Sequence, residues 1–273
     1  MKISVCGKGG SGKSTVTVLL AAEFRRRGRN VLLVDSDESN SGLHAMLGLD
    51  APPTPLMELA GGRKNVRKAL GTARAEGGKA EETFVLARDA IRPDDLPGEY
   101  VRGRKGLRLI AIGKIHQALE GCACPIGVLS REFLKRLVLA GNEIAVIDTE
   151  AGIEHFGRGI ETSIDSVIAV VEPSLESVNL AEKVKQLAAT SGASFAGAIL
   201  NKVNSERTRE KLANILRGRG VPLLGAVRGH PELAEAGLEG KPLPERVVSE
   251  EVQDIVDALL GATRSAGHPG QVD

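Results

Sequence analysis

The sequence predicts an α/β fold: a doubly wound, mostly parallel sheet with helices on both faces, formed by one domain over residues 1–273. Short apolar runs alternate with helical stretches along the chain, which is the order of elements in parallel sheets. Several runs, such as 31–34 and 144–147, are apolar throughout, as are strands buried on both faces. The first run leads directly into a glycine-rich loop and then into a helical pattern.

The individual elements follow from these runs and from the helical periodicity between them. Strands are predicted near residues 2–6, 30–35, 107–112, 143–148, 166–171, 195–200 and 222–226. Helices are predicted over 13–28, 127–140, 176–191, 205–219 and 247–261. Residues 50–105 interrupt this order with Pro52-Pro53, two Gly-Gly pairs and many charges, so we expect an insertion of short helices and loops. The polar end of the chain, about 262–273, is expected to be a disordered tail.

Composition and charge exclude several classes of function. The net charge is +1, so no strong field favours nucleic acid or an anionic membrane. Aromatic residues make up only 2%, which leaves few surfaces on which single-stranded bases could stack. No apolar run approaches the roughly 18 residues of a transmembrane helix, and no signal peptide is visible. Three cysteines without a secretory context indicate reduced thiols and a cytoplasmic protein.

The strongest motif lies between the first strand and the first helix. There the chain reads G-K-G-G-S-G-K-S, the pattern of a phosphate-binding loop (P-loop). Its glycines let backbone N–H groups converge on phosphate oxygens, and the helix N-terminus adds a positive dipole end. We expect Lys13 to neutralise the β- and γ-phosphates of ATP and the Ser14 hydroxyl to coordinate Mg²⁺. The nucleotide-binding residues predicted here are Gly7, Lys8, Gly9, Gly10, Ser11, Gly12, Lys13, Ser14 and Thr15.

Lys8 is a second lysine near the start of this loop, and the stretch from Lys8 to Thr15 reads K-G-G-S-G-K-S-T. This stretch resembles the deviant Walker A loops of the MinD, ParA, arsenite-pump and nitrogenase iron protein families. In those families the early lysine reaches across a dimer interface to the partner's phosphates. The resemblance implies a homodimer that encloses two ATP molecules, in which Lys8 acts in catalysis together with Lys13.

Acidic residues follow two of the predicted strands. Asp35 ends the second strand, Asp37 follows it, and Asp148 ends the fourth strand. Carboxylates at the carboxyl ends of parallel strands lie beside the ligand crevice of a doubly wound sheet. By the same resemblance, Asp37 would be the catalytic residue that orients water, Asp35 would lie near the magnesium ion, and Asp148 would hold Mg²⁺ through water. Gly152 would let the following loop approach the γ-phosphate.

Three further residues are assigned to the nucleotide pocket by this resemblance. Asn201 and Lys202 follow the strand predicted at 195–200. In the family, an asparagine at this point contacts the edge of adenine, because an amide both donates and accepts hydrogen bonds. Glu172 follows the strand predicted at 166–171, where relatives line the base pocket.

Cys122 and Cys124 lie one residue apart between a glycine and a proline, which is a poor setting for a structural core. Two thiolates at this spacing can share a metal ion if a turn brings them within about 4 Å of each other. A two-fold axis through the pair would raise the number of ligands to four. A helix starting near residue 127 would favour the thiolate of Cys124. Metal or redox chemistry is expected here, whereas Cys6, inside the first strand, is expected to be a buried apolar residue.

Together these motifs resemble the CooC family, MinD-type ATPases that help to insert nickel into carbon monoxide dehydrogenase. The resemblance covers most of the chain and rests on the P-loop with Lys8, the Cys-x-Cys pair, and D-T-E-A-G-I-E-H over 148–155, followed by Arg158-Gly159. It implies Ni²⁺ or Zn²⁺ bound by Cys122 and Cys124 of both subunits. It also implies an ATP-dependent dimer cycle and a client nickel enzyme, carbon monoxide dehydrogenase.

Two alternative functions are considered. A reductase resembling the nitrogenase iron protein would hold a 4Fe–4S cluster on four thiolates, but the ligands of that family are far apart in sequence. A positioning ATPase resembling MinD or ParA would need a basic amphipathic C-terminal helix for a membrane or a basic face for DNA, and neither is evident. His155 and His116 are left out of the predicted metal site, because a histidine at such a position more often packs or belongs to a switch.

Overall fold

The computed structural model describes residues 1–39, 42–75, 88–114 and 124–266. The strands are β1 (Lys2–Gly7), β2 (Asn30–Asp35), β3 (Arg102–Arg104), β4 (Leu107–Ala111), β5 (Glu143–Asp148), β6 (Ser166–Val171), β7 (Ser194–Val203) and β8 (Leu223–Arg228). Within the described residues they form one eight-stranded sheet in the order β3-β4-β2-β5-β1-β6-β7-β8. All neighbouring pairs are parallel except β3 with β4. The predicted doubly wound, mostly parallel sheet is confirmed.

Helices cover both faces of this sheet. They are α1 (Lys13–Arg26), α2 (Leu43–Met46), α3 (Leu56–Leu59), α4 (Gly62–Ala75), α5 (Cys124–Arg136), α6 (Glu154–Gly157), α7 (Leu175–Ser191), α8 (Glu206–Gly218), α9 (Pro231–Glu239) and α10 (Ser249–Ala266), with 3-10 turns at Pro93–Asp95, Ile160–Ser163 and Glu245–Val248. Apolar side chains of α1 and α10 pack in one core, and those of α5, α7 and α8 pack in the other. None of the helices that the structure describes is both long and apolar enough to cross a bilayer.

The two cores follow from the pleat of the strands, because successive side chains point to opposite faces. In β1, Ile3 and Val5 belong to the core under α1 and α10, whereas Cys6 belongs to the core under α5 and α7. All three side chains are fully buried. Burial on both faces explains why the strand sequences are apolar nearly throughout.

The predicted strands and long helices are present, with differences at their ends and within 50–105. β3 is not among the predicted strands, since its three residues are exposed and show no apolar alternation. In the same segment α4 has 14 residues and is longer than the short helices expected there. The last helix continues to Ala266, so its predicted end at 261 is wrong. Alanine and arginine in this stretch favour helix, which explains the extension; residues 267–273 lie outside the described part of the chain.

The carboxyl ends of five parallel strands lie along one edge of the sheet. β1 is hydrogen-bonded to β5 on one side and to β6 on the other. From β1 the chain first forms β2 and β4 on one side of the sheet and later forms β6, β7 and β8 on the other side. In open α/β sheets the crevice at such a switch point is where ligands bind. The loops after β1, β2, β5, β6 and β7 carry the predicted nucleotide-binding residues to this edge.

Candidate nucleotide site

The loop between β1 and α1 has the backbone geometry that its glycines predict. Gly10 and Gly12 have φ angles of 79° and 91°, in the left-handed region that other residues rarely adopt. The backbone N–H of Val16 donates to the carbonyl of Gly12 (2.9 Å), so helical hydrogen bonding begins directly after the loop. Lys13 is the first residue of α1 and is only 6% exposed. The loop thus combines a positive helix end with a sheltered cation, as phosphate binding requires.

Two residues of β7 hold this loop from the other side. Asn201 donates from Nδ2 to the carbonyl of Ser11 (2.8 Å), and Lys202 donates from Nζ to the carbonyl of Gly10 (2.6 Å). Lys202 has a positive φ of 59°, which costs free energy and persists only where surrounding contacts hold it. Both residues therefore support the P-loop backbone. The predicted contact of Asn201 with adenine stays a prediction.

Acidic side chains lie beside the first turn of α1. The Ser14 hydroxyl donates to Asp148 Oδ2 (2.6 Å), which joins two of the predicted magnesium-binding residues. Burial raises the pKa of Asp148 to about 6 and that of Asp35 to about 7, although nearby lysines oppose both shifts. Asp35 Oδ1 is buried without a hydrogen-bond partner among the described residues. Hydroxyl and carboxylate oxygens suit Mg²⁺, so these residues fit the predicted Mg-ATP site.

Lys114, which no sequence motif singles out, completes this cluster. Its Nζ donates to Asp35 Oδ2 (2.7 Å) and to the carbonyl of Asp37 (2.5 Å). A lysine just beyond a predicted strand only weakly indicates a functional residue. Lys114 reaches Asp35 only because β4 pairs with β2. The lysine partly compensates the charge of a carboxylate that burial would otherwise keep protonated.

The variant Lys114→Met is expected to lower the free energy of unfolding by about 1–3 kcal/mol, chiefly above neutral pH. The folded-state pKa of Asp35 is about 7, above its ordinary value of 3.8. Between these values the folded protein binds more protons than the unfolded chain, so the contribution of Asp35 to stability falls as pH rises. Without Lys114 that fall would continue to higher pH, because the ionised carboxylate has lost its counter-ion.

Urea unfolding at about pH 5.5 and about pH 8.5 measures this difference, since Asp35 is protonated in the folded state at the lower value and ionised at the higher. The exposed Lys183 of α7 provides the control Lys183→Met, for which we expect almost no change at either pH. A loss of stability for Lys114→Met that is the same at both pH values would contradict the predicted role of the ion pair.

Asp37, the residue predicted to orient water, lies in the loop after β2, two residues beyond the strand end. It is buried, and its Oδ1 accepts hydrogen bonds from the backbone N–H (2.9 Å) and the hydroxyl (2.6 Å) of Ser39. These bonds set the direction of the carboxylate next to the magnesium-binding cluster. Residues 40 and 41, the next in the loop, lie outside the described residues.

Arg158 connects the loops after β2 and β5. Its Nη1 lies 2.6 Å from Glu150 Oε1 and 3.8 Å from Glu38 Oε2. Gly152 joins the second of these loops to the P-loop, because its N–H donates to the carbonyl of Gly7 (3.1 Å). The φ of Gly152 is 90°, a value that suits glycine. The three loops around the predicted phosphate position are therefore in mutual contact.

Lys8 forms ion pairs within its own chain at the outer side of the loop. Its Nζ lies 2.8 Å from Glu176 Oε2 and 3.3 Å from Glu172 Oε1. These pairs are partly open to solvent, and pairs of this kind contribute little to stability. The predicted roles of Lys8 in a partner's site and of Glu172 in the base pocket stay predictions.

The predicted metal ligands are mostly outside the described residues. This holds for Cys122 and for the side chain of Cys124, although Cys124 is described as the first residue of α5. His116, which was left out of the predicted metal site, also lies outside the described residues. Cys6 is buried as expected, but it is not isolated. Its Sγ lies 3.2 Å from Nε2 of His155, which is also fully buried. Cys6 and His155 are 149 positions apart in sequence, so no motif predicts this contact.

Comparison with known proteins identifies relatives of similar length and fold. Residues 3–243 match the model of the CobQ/CobB/MinD/ParA nucleotide binding domain family. An uncharacterized ATP-binding protein of Methanocaldococcus jannaschii is 43% identical over 259 residues, covering 95% of this chain and 99% of that protein. The carbon monoxide dehydrogenase accessory protein CooC of Rhodospirillum rubrum is 35% identical over 208 residues, covering 75% of each chain.

Among solved structures, the septum site-determining protein MinD of Pyrococcus horikoshii, complexed with Mg-ADP, superposes with a TM-score of 0.66. The match covers 99% of each chain at 22% sequence identity, so it supports the fold alone. The family match includes the P-loop and the acidic ends of β2 and β5. The chain therefore belongs to the CobQ/CobB/MinD/ParA family of nucleotide-binding domains.

Proposed function

We propose that this protein is a Mg-dependent ATPase that carries nickel, or zinc, to a client nickel enzyme, carbon monoxide dehydrogenase. Two copies would enclose two ATP molecules, and Cys122 and Cys124 of both copies would hold one metal ion between them. The Cys-x-Cys pair and the 35% identity to the CooC accessory protein of Rhodospirillum rubrum support this function. The protein would act in the cytoplasm, without nucleic acid or membrane as a partner.

The observation that carries the proposal is the position of α5, whose first residue is Cys124. Ser130 of this helix shares a hydrogen bond with Ser36 in the loop after β2 (Oγ to Oγ, 2.8 Å). A Cβ on Gly127 would overlap Cδ of Arg158, so Arg158 packs closely against the same helix. The helix that begins at the cysteine pair thus contacts the loop after β2 and the arginine that joins this loop to the one after β5.

Each residue of the nucleotide site would have a part in hydrolysis. Lys13 and the N-terminus of α1 would bind the phosphates, and Asp37 would orient the attacking water. Ser14 and Asp148 would hold Mg²⁺, which supplies charge neutralisation on the phosphates when it is bound. When the γ-phosphate leaves, the loops after β2 and β5 lose contacts to it. Arg158 would pass this change to α5 and so to the metal-binding pair.

The variant Lys8→Ala is expected to prevent ATP-dependent dimerisation and to lower ATP hydrolysis by at least about 100-fold. Binding of ATP to the monomer should persist, because Lys13 rather than Lys8 faces the phosphates of its own chain. Light scattering after size exclusion measures the mass with ATP and with ADP, and phosphate release measures hydrolysis. Lys183→Ala, on the exposed side of α7, is the control. If the Lys8 variant dimerised and hydrolysed ATP normally, Lys8 would not act in the partner's nucleotide site, and this part of the proposal would be wrong.

Anaerobic metal analysis of the nucleotide-bound dimer, combined with activation of apo-carbon monoxide dehydrogenase, tests the proposed function. The expected difference between wild type and Cys122→Ser/Cys124→Ser is about one nickel or zinc ion per dimer. Activation of the dehydrogenase should disappear in the same variant. Full activation by the variant would contradict the proposal. Roughly four irons per dimer with matching sulfide would identify an electron-transfer ATPase instead.

A further inference from the structure

The core between β1 and the segment after β5 contains a group of potential metal ligands that the nucleotide site does not use. From the positions of their ligand atoms, we infer that Cys6, His155 and Glu161 bind one divalent transition-metal ion of the zinc, cobalt or nickel type in each subunit. This site is separate from the proposed site at Cys122 and Cys124, and it does not depend on dimerisation.

The spacing of the ligand atoms matches a metal site. His155 Nε2 lies 3.2 Å from Cys6 Sγ and 3.3 Å from Glu161 Oε1, and the three ligand atoms all lie within 4.8 Å of one another. Tetrahedral zinc bonds of about 2.3 Å to sulfur and about 2.0–2.2 Å to nitrogen and oxygen hold bound S and N atoms about 3.5 Å apart and bound N and O atoms about 3.4 Å apart. The same geometry holds bound S and O atoms about 3.6 Å apart, so the Cys6–Glu161 pair would have to close by up to about 1.2 Å, whereas the other two pairs need shifts of only a few tenths of an ångström.

The polar groups of this site are otherwise poorly satisfied. All three residues are 0% exposed. Neither carboxylate oxygen of Glu161 makes a hydrogen bond to any other described residue, although Oε1 lies near Nε2 of His155. Buried carboxylates without partners are rare in folded proteins and call for an explanation. A bound cation would provide the missing interaction.

The charge of the three ligands also suits full burial. A thiolate and a carboxylate together neutralise a divalent cation, so the occupied site would carry no net charge into the core. In the metal-free protein burial lowers the pKa of His155 to about 3, so the imidazole is neutral, and raises the pKa of Cys6 to about 12 and that of Glu161 to about 7. The ion would therefore displace the proton of the Cys6 thiol, and that of Glu161 where it is protonated, and binding would release these protons to solvent. The Ser4 hydroxyl lies 3.4 Å from Cys6 Sγ, so it would donate a hydrogen bond to the metal-bound thiolate.

The three ligands lie on two separate parts of the chain, so a bound ion would link these parts. Cys6 directly precedes Gly7, the first residue of the P-loop, while His155 lies in α6 and Glu161 in the 3-10 turn Ile160–Ser163. A metal bound to all three would tie the end of β1 to the segment that follows Gly152. Because the three ligands are fully buried, the ion would enter during folding or through local opening of that segment.

Cobalt provides the test, because a cobalt–thiolate bond has a near-ultraviolet charge-transfer band. The chain has three cysteines, so full-length Cys122→Ser/Cys124→Ser protein retains Cys6 as its single thiol. Produced in cobalt-supplemented medium, it should contain about one cobalt per chain and show this band. Absence of cobalt or of the band would overturn the inference and would leave the dimer-interface proposal unaffected.

Two single changes in this background test two of the ligands, and a third serves as a control. Cys6→Ser should remove the band, and Glu161→Gln, which keeps the side-chain volume, should lower the bound cobalt by at least about tenfold. Glu154→Gln changes an exposed glutamate of α6 and should leave the band unchanged. Far-ultraviolet circular dichroism and ADP binding check that each variant is folded. A band that persists in folded Glu161→Gln protein at wild-type intensity would overturn the assignment.

Discussion

Replacing Lys13 with Gln is expected to lower kcat/KM for ATP hydrolysis by at least about 100- to 1,000-fold. The lysine is only 6% exposed, so the solvent cannot take over the role of its charge. In a sheltered site a cation interacts with phosphate oxygens much more strongly than it does at the surface. Glutamine retains most of the side-chain length, so the loss of rate would report the charge. Phosphate release at several ATP concentrations measures the change.

The variant Lys202→Gln is the control, because it removes the charge of another lysine that contacts the same loop. Lys202 is exposed and donates to the carbonyl of Gly10, so its loss should cost about tenfold or less in kcat/KM. Thermal unfolding of both variants checks that they are folded. If Lys13→Gln hydrolysed ATP within about tenfold of the wild-type rate, the phosphates would have to bind elsewhere.

Replacing Gly12 with Ala is expected to lower the free energy of unfolding by about 2–4 kcal/mol and to abolish nucleotide binding. Gly12 has a φ of 91°, which strains any residue with a side chain. The new Cβ would also overlap Nδ2 of Asn201 and would displace the amide from the carbonyl of Ser11. Backbone strain and the loss of a buried hydrogen bond therefore add. Urea unfolding and ADP calorimetry measure the two effects.

Gly10→Ala separates these two causes. Gly10 has a similar φ of 79°, but no described atom lies within 4 Å of the position that a Cβ would take there. The expected loss is therefore the backbone strain alone, about 1–2 kcal/mol. Equal losses in the free energy of unfolding for the two variants would show that displacing the Asn201 amide does not destabilise the protein. The proposed support of the P-loop by β7 would then be wrong.

Most residues of the candidate nucleotide site were predicted from local sequence patterns. The P-loop is contiguous, and its glycines and its lysine lie within one strand–loop–helix unit, so their spacing alone specifies the local geometry. Asp35 and Asp148 were predicted because each ends an apolar run, and the carboxyl ends of parallel strands share an edge. Register places these two residues side by side, since they are paired between β2 and β5.

Contacts between distant segments were beyond the reach of such patterns. Lys114 reaches Asp35 only because β4 pairs with β2, and Arg158 reaches Glu38, much earlier in the chain, through the packing of two loops. β3 carries no apolar alternation because it is exposed, so nothing in its three residues marks it as a strand. These features depend on tertiary neighbours rather than on local propensity.

The sequence by itself determined the parallel sheet, the P-loop and the acidic strand ends, because alternating burial and phosphate binding each impose a short-range pattern of residues. The tertiary structure alone decided which side chains meet: Lys114 with Asp35, Asn201 with the loop, and Cys6 with His155 and Glu161. The physical reason is that these contacts join residues far apart in the chain. Strand order and helix packing alone set the distances between these residues, and neither can be predicted from the sequence next to each residue.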